Sequence, residues 1–317
     1  ADADAMVTAT TTFTTTPNQA NLENLRAAWE TAYLSFQNVS MFEIGKAEEE
    51  RYRNRLNVYP TNTTEIEDFI ASGSYDLSLP STIDAQGFPA LDYLIYGAAN
   101  TDTDIIALYS TNANADNYKQ YLNELSQTIA TLTDIVLTDW QTNFRDTFVA
   151  NTSSSSTGSV DKLANDYILY YEKGLRAGKI GIPAGNFSNE TLPENVEGFY
   201  RKDLSKALFN ASLTATQNFF EGKHFNSNTE GESFKSYLNF LNTIKNGDDL
   251  STLIVNQFEA SRTQGNLLND DFTQQIETDN SVMLLTFDEL QRNVILLKVD
   301  MLQALDINVD FVDTDGD

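Results

Sequence analysis

Gly87-Phe88-Pro89-Ala90-Leu91-Asp92-Tyr93-Leu94-Ile95-Tyr96-Gly97 is the stretch from which the rest of the chain is best read. Proline is favoured in the first turn of a helix, where its missing N–H would have no partner anyway, so Pro89 marks a helix start. Leu91, Leu94 and Ile95 then fall on one face at helical spacing and belong in a core. Asp92 is the one acid among them. Its two readings are a carboxylate kept for a ligand or metal and a carboxylate used up by the fold, and a lone acid at this spacing fits both.

Outward from this segment the pattern is helical throughout. Upstream, Leu22, Leu25, Trp29, Ala32 and Phe36 recur at steps of three and four from about Asn21, an apolar stripe on one helix. A second helix is expected through Glu48 to Leu56, ended by Pro60 and the Thr61-Asn62-Thr63-Thr64 cluster. Thr64 and Glu67 have capping-box spacing for a short helix, and 72–86 reads as irregular chain around Gly73 and Pro80. Downstream, Tyr118, Leu122, Leu125, Ile129, Leu132, Val136, Trp140, Phe144 and Phe148 mark a long helix over about 116–148. The serine-rich run 151–159 has nothing to bury and separates two halves. The second half predicts helices at about 160–177, 202–221, 232–245, 248–264 and 280–303, interrupted by the Gly- and Pro-rich 178–187. No strand alternation of useful length occurs. The expected class is all-α: a flexible tether at 1–17, a helical bundle at 18–150 carrying the 87–97 segment, a linker at 151–159 and a second bundle at 160–317, two packed bundles with the order of their elements hinting at duplication.

Composition sets outer limits on function. With 317 residues, 41% of them hydrophobic, the chain can bury a sizeable core. Forty-six acids against 20 bases give a formal charge of −26, which argues against nucleic acid or an anionic membrane surface as partner and favours cations. There is no cysteine, so disulfides, zinc–thiolate sites, iron–sulfur clusters and thiol nucleophiles are excluded within these residues. No apolar run approaches the roughly 18 residues of a membrane-spanning helix. The opening Ala1-Asp2-Ala3-Asp4-Ala5 and the threonine-rich run to Thr16 read as a tether with an upstream part removed, which would suit a lipid anchor just before residue 1.

The segment at 87–97 resembles the signature of the imelysin family, which carries Gly-x-His-x-x-Glu there. In this chain Pro89 stands at the histidine position and Asp92 at the glutamate position. Leu25-Arg26-Ala27-Ala28-Trp29-Glu30-Thr31-Ala32-Tyr33 resembles the family's first helix, and Lys179-Ile180-Gly181-Ile182-Pro183-Ala184-Gly185 a loop of its second half. Leu297-Lys298-Val299-Asp300-Met301-Leu302-Gln303-Ala304-Leu305, leading to Asp315-Gly316-Asp317, resembles the way many members end. Together these pieces span nearly the whole chain. The resemblance implies two helical halves meeting at a cleft or funnel that holds the motif, with Gly87, Pro89 and Asp92 as ligand-binding positions. It implies a bacterial envelope protein of iron uptake, periplasmic or an outer-membrane lipoprotein, with an iron-uptake protein of the envelope as partner. It also implies a metal, iron or another divalent or trivalent cation, for which Asp92, Asp84 and Glu43 are the candidate oxygen ligands, Glu43 being expected on the first helix.

The family's peptidase label is not supported by the residues. A histidine and a carboxylate at i and i+3 can share a metal on one helix face, but proline offers no donor atom. A catalytic zinc takes three protein ligands, usually from a His-Glu-x-x-His helix, whereas the one histidine here is His224, beside a helix end. No Gly-x-Ser-x-Gly elbow surrounds a serine. Recognition without catalysis is the leading reading, with an oxygen-ligand metallopeptidase and an accessory module of an outer-membrane receptor as alternatives. Glu48-Glu49-Glu50 followed by Arg51, Arg53 and Arg55 reads as a solvated, internally paired face. Asp310, Asp313, Asp315, Gly316 and Asp317 mimic the opening of a calcium loop without its closing glutamate.

Overall fold

The stripe on the Trp29 helix is where the architecture begins. In a computed structural model that describes residues 1–227 and 229–311, Leu22, Leu25, Trp29, Ala32 and Phe36 are all buried, as is Tyr33 beside them. Among the described residues the fold is all-α apart from a hairpin of two short strands, and the chain divides into two compact units. The division does not follow chain order. The first unit holds Ala1–Phe36, Gly45–Phe144 and Glu194–Ser205; the second holds Gln37–Ile44, Arg145–Pro193 and the chain from Lys206 on. The expected split at 151–159 therefore misses two exchanges, because short irregular segments carry no periodicity that would assign them to a core. Asp313, Asp315, Gly316 and Asp317 of the calcium-loop reading lie outside the described residues. Among the described residues no helix is long and apolar enough to cross a membrane.

The first unit is built from α1 (Asp2–Thr15), α2 (Gln19–Phe36), α3 (Lys46–Glu50), α4 (Tyr52–Leu56), α5 (Thr63–Ser72), α6 (Gly87–Asp92), α7 (Asp102–Leu108) and α8 (Ala115–Asp139). The expected tether is the clearest correction. Residues 2–15 form α1, and Met6 and Phe13 are fully buried, with Phe13 edge-on to Tyr109 at 4.9 Å. Threonine hides this helix in the sequence because its intrinsic helix propensity is low. Here Thr8, Thr10, Thr11 and Thr12 each return their hydroxyl to a carbonyl four residues back, so their polar atoms are satisfied within the helix.

Three further boundaries move. Arg51, at φ 52°, breaks the expected 48–56 helix into α3 and α4. α5 is capped by Asn62, whose side chain accepts from Glu65 N, and Glu67 instead accepts the phenols of Tyr93 (2.7 Å) and Tyr118 (2.6 Å). The stripe of α8 buries Tyr118, Leu122, Leu125, Ile129 and Leu132, but beyond it Trp140 is 38% exposed. A wide turn at Trp140–Phe144 separates α8 from α9 (Arg145–Ala150), and Phe144 lies against Gly45.

The second unit comprises α9, α10 (Ser159–Leu169), α11 (Ser205–Glu221), α12 (Phe234–Phe240), α13 (Leu250–Gly265), α14 (Phe272–Asp279), α15 (Ser281–Val294) and α16 (Leu302–Leu305), with β1 (Ile244–Lys245) paired antiparallel to β2 (Asp248–Asp249). Leu208, Ile254, Phe258, Leu290 and Leu297 are fully buried. The expected loop from Gly178 starts later than its glycines suggest, since α10 continues as a wide helix over Tyr170–Gly181. That helix carries Glu172, fully buried and ion-paired to Lys298 (3.0 Å), Lys173 (3.2 Å) and Arg176 (3.6 Å).

Candidate functional site

The signature segment forms α6 and the wide turn that follows it in the first unit. Gln86 is extended, and Gly87 then takes φ +79°, where a side chain would be strained. A Cβ on Gly87 would lie 2.3 Å from the Leu56 carbonyl oxygen, so glycine is needed for the backbone of α4 to pass. Pro89 sits in the first turn of α6 as expected, and every residue from Gly87 to Asp92 is buried. Trp29 Nε1 donates to the Phe88 carbonyl at 3.2 Å, and the rings of Phe88 and Tyr33 stack 4.6 Å apart. After Asp92 the helix widens over Tyr93–Gly97 and closes with Ala98 N–H donating to Tyr93 O at 2.8 Å. Such i→i+5 turns recur at functional sites.

Asp92 is 2% exposed, and both of its carboxylate oxygens are taken. Tyr200 N–H donates to one at 3.0 Å and Arg201 N–H to the other at 2.9 Å. Burial pushes the Asp92 carboxyl up to about 7, while the two backbone donors and the Arg201 guanidinium pull it back down. The carboxylate thus anchors the returning segment 194–205. A second anchor lies close in the chain: Glu197, also buried, accepts from Asn57 Nδ2 (2.7 Å) and from Tyr33 Oη (3.1 Å). Burial and the Glu197 charge drive the Tyr33 phenol well above its ordinary value, so it stays a donor. Gly97 completes the fit, since a Cβ there would lie 2.1 Å from the Tyr200 ring.

Beside these anchors is a cavity of about 140 Å³ lined by Tyr59, Thr61, Pro89, Asp92, Glu194 and Tyr200, among others. Pro89 and Asp92 of the sequence reading reach it. Asp84 does not: its carbonyl accepts from Asn62 N–H (2.8 Å) and Thr61 Oγ1 (2.7 Å), and its carboxylate faces Asn62 Nδ2. Glu43 is not on a helix but in the irregular connection after α2, within the second unit, where its N–H donates to Asp166 Oδ2. His224 is exposed beyond the end of α11.

The metal that the family implies does not fit this donor set. Of the three candidate oxygen ligands only Asp92 reaches the pocket, and each of its oxygens already accepts one backbone N–H, which leaves at most one lone pair per oxygen for an ion. Among the described residues no three His, Cys, Asp or Glu side chains form a group that could hold a metal. Tyr33, Glu197, Tyr200 and Arg201 are the site residues that sequence reasoning missed. Tyr33 sits on the recognisable Trp29 helix. The other three lie more than a hundred residues from Asp92 in a stretch without periodicity, so no local signal points to them.

The comparisons agree with this architecture. A crystal structure of an imelysin-like protein from Psychrobacter arcticum superposes with a TM-score of 0.74 at 15% identity, covering 98% of this chain and 90% of that one. A protein described as an iron-regulated protein A precursor, from Parabacteroides distasonis, superposes with a TM-score of 0.71 at 16% identity, covering 93% of this chain and 88% of that one. At such identities the likeness is one of fold. No curated protein sequence matches the chain. The family model described as imelysin, peptidase M75, matches residues 1–292, which is nearly the whole chain, and with the fold in agreement the chain belongs to the imelysin family.

Proposed function

We propose that the chain is an extracytoplasmic protein of bacterial iron supply that recognises a ligand at the pocket beside Asp92 and does not cleave it. The observation that carries this reading is the state of the Asp92 carboxylate, buried with both oxygens accepting backbone N–H groups. A general base or metal ligand needs a free lone pair within reach of its target. Asp92 uses one lone pair of each oxygen to hold the backbone N–H groups of Tyr200 and Arg201, and Tyr200 lines the pocket. The iron connection rests on the family and on the iron-regulated protein among the structural neighbours.

The test is uptake of radioactive ferric iron by iron-starved cells lacking the gene. Loss of uptake, restored by the wild-type chain and not by Glu194→Trp, supports the reading, because Glu194 is an exposed residue at the pocket wall and tryptophan there fills the opening without touching the core. Unchanged uptake in the deletion strain would overturn the iron role. Full restoration by Glu194→Trp would overturn the pocket.

A further inference from the structure

A second cavity in the first unit, about 220 Å³, lies where the break between α3 and α4 faces the turn before the signature helix. Glu50, Arg51, Arg55, Leu79, Ile83 and Gln86 line it. Three separate features converge there. Gln86 is 1% exposed, and its Nε2 donates to the carbonyls of Leu77 (3.0 Å) and Thr82 (3.3 Å). Those two acceptors fix the orientation of the amide, and its Oε1 is buried with no donor. Arg55 Nε is likewise buried with no acceptor, and its guanidinium is 3.9 Å from the Glu50 carboxylate, too far for a hydrogen bond. Arg51 holds a left-handed backbone at φ 52° that a non-glycine residue adopts at a cost.

Buried donors and acceptors without partners are rare in native proteins and call for an explanation. Here an orphaned acceptor, an orphaned cationic donor and an under-paired acid share one small cavity. A ligand that answers all of them carries both charges: an anionic group for the arginines, and a cationic donor for Gln86 Oε1 and Glu50. The volume is below the roughly 300 Å³ at which drug-sized sites begin, which restricts the ligand to about a dozen heavy atoms at most. Leu79 and Ile83 give the rest of it an apolar wall. We propose that this cavity binds a free α-amino acid with an apolar side chain, its carboxylate on Arg51 and Arg55 and its ammonium on Gln86 Oε1 and Glu50. The site is separate from the Asp92 pocket and independent of the iron reading. Gln86 also directly precedes α6, so occupancy would bear on the start of the signature helix.

Calorimetric titration of the full chain with L-leucine, L-valine and L-phenylalanine tests this, with 4-methylpentanoate and 3-methylbutylamine as leucine analogues lacking one charge each. The proposal expects saturable binding of at least one amino acid and, because a charge-assisted contact is lost, binding of each analogue about tenfold weaker or worse. Arg51→Gly relieves the backbone strain and should fold at least as well as the wild type while losing affinity, and Arg55→Met should lose it too. Absence of heat with all three amino acids would overturn the proposal, showing that the orphaned groups are served by water. Equal binding of either single-charge analogue, or undiminished binding by folded Arg51→Gly, would overturn it as well.

Discussion

Replacing Asp92 with asparagine changes the charge of the anchor and little of its shape, and the effect depends on pH with a sign that can be worked out. An ordinary aspartate titrates at 3.8, and burial raises Asp92 to about 7 in the folded chain. Between these values the folded state holds a proton that the unfolded state has released. Stability contributed through this group is therefore complete below pH 4, falls as pH rises, and levels off above 7. At about 1.4 kcal/mol per pH unit, the interval corresponds to about 4 kcal/mol. Asparagine has no such titration. Its Nδ2 faces one of the two backbone N–H donors, at a cost of about 1 to 3 kcal/mol that does not vary with pH. The stability gap between Asp92→Asn and wild type should thus shift by about 4 kcal/mol in favour of asparagine between pH 4 and pH 8. Urea denaturation followed by tryptophan fluorescence in a Trp140→Phe background reads this unit through Trp29, which is fully buried against Phe88. A gap that stays constant with pH, or moves the other way, would refute the burial argument.

Three further outcomes follow from the fold. Phe13→Ala should destabilise the first unit by about 3 to 5 kcal/mol, as for a buried aromatic, whereas a tether would show no change in the same fluorescence transition. Gly87→Ala should cost about 3 kcal/mol or more, since it adds strain at positive φ to a collision with the Leu56 carbonyl; a melting temperature equal to wild type would contradict the geometry at Gly87. Glu172→Gln leaves Lys298, Lys173 and Arg176 without their shared buried carboxylate. It should destabilise the second unit by about 3 to 5 kcal/mol, measured by calorimetry, and a neutral effect would show that those cations are balanced elsewhere.

The sequence makes helices legible wherever one face is apolar, and obscures them where stability comes from other sources. The Trp29 stripe and the first half of α8 place their cores correctly because burial and periodicity coincide there. α1 was hidden because threonine lowers helix propensity, while Met6 and Phe13 are too few to make a visible stripe. Pro89 could be assigned its backbone role from residue type alone. The role of Asp92 could not, because its partners are main-chain groups of Tyr200 and Arg201, and any residue supplies an N–H. The same limit applies to segments 37–44 and 194–205, which belong to a different unit from the chain on either side of them and are mostly irregular. Arg51 and Arg55 read as a solvated face in sequence; the orphaned Nε and the left-handed turn exist only in three dimensions.

The central claim is that Asp92 holds the pocket wall and does no chemistry of its own. The most direct measurement is ferric-iron uptake by gene-deleted cells carrying Asp92→Asn, with folding of the variant verified by circular dichroism. The account predicts uptake at the wild-type level, because asparagine keeps the volume of the anchor and a carbonyl for one of the two N–H groups. Loss of uptake by a folded, stable Asp92→Asn would contradict it and assign the carboxylate charge itself to the function.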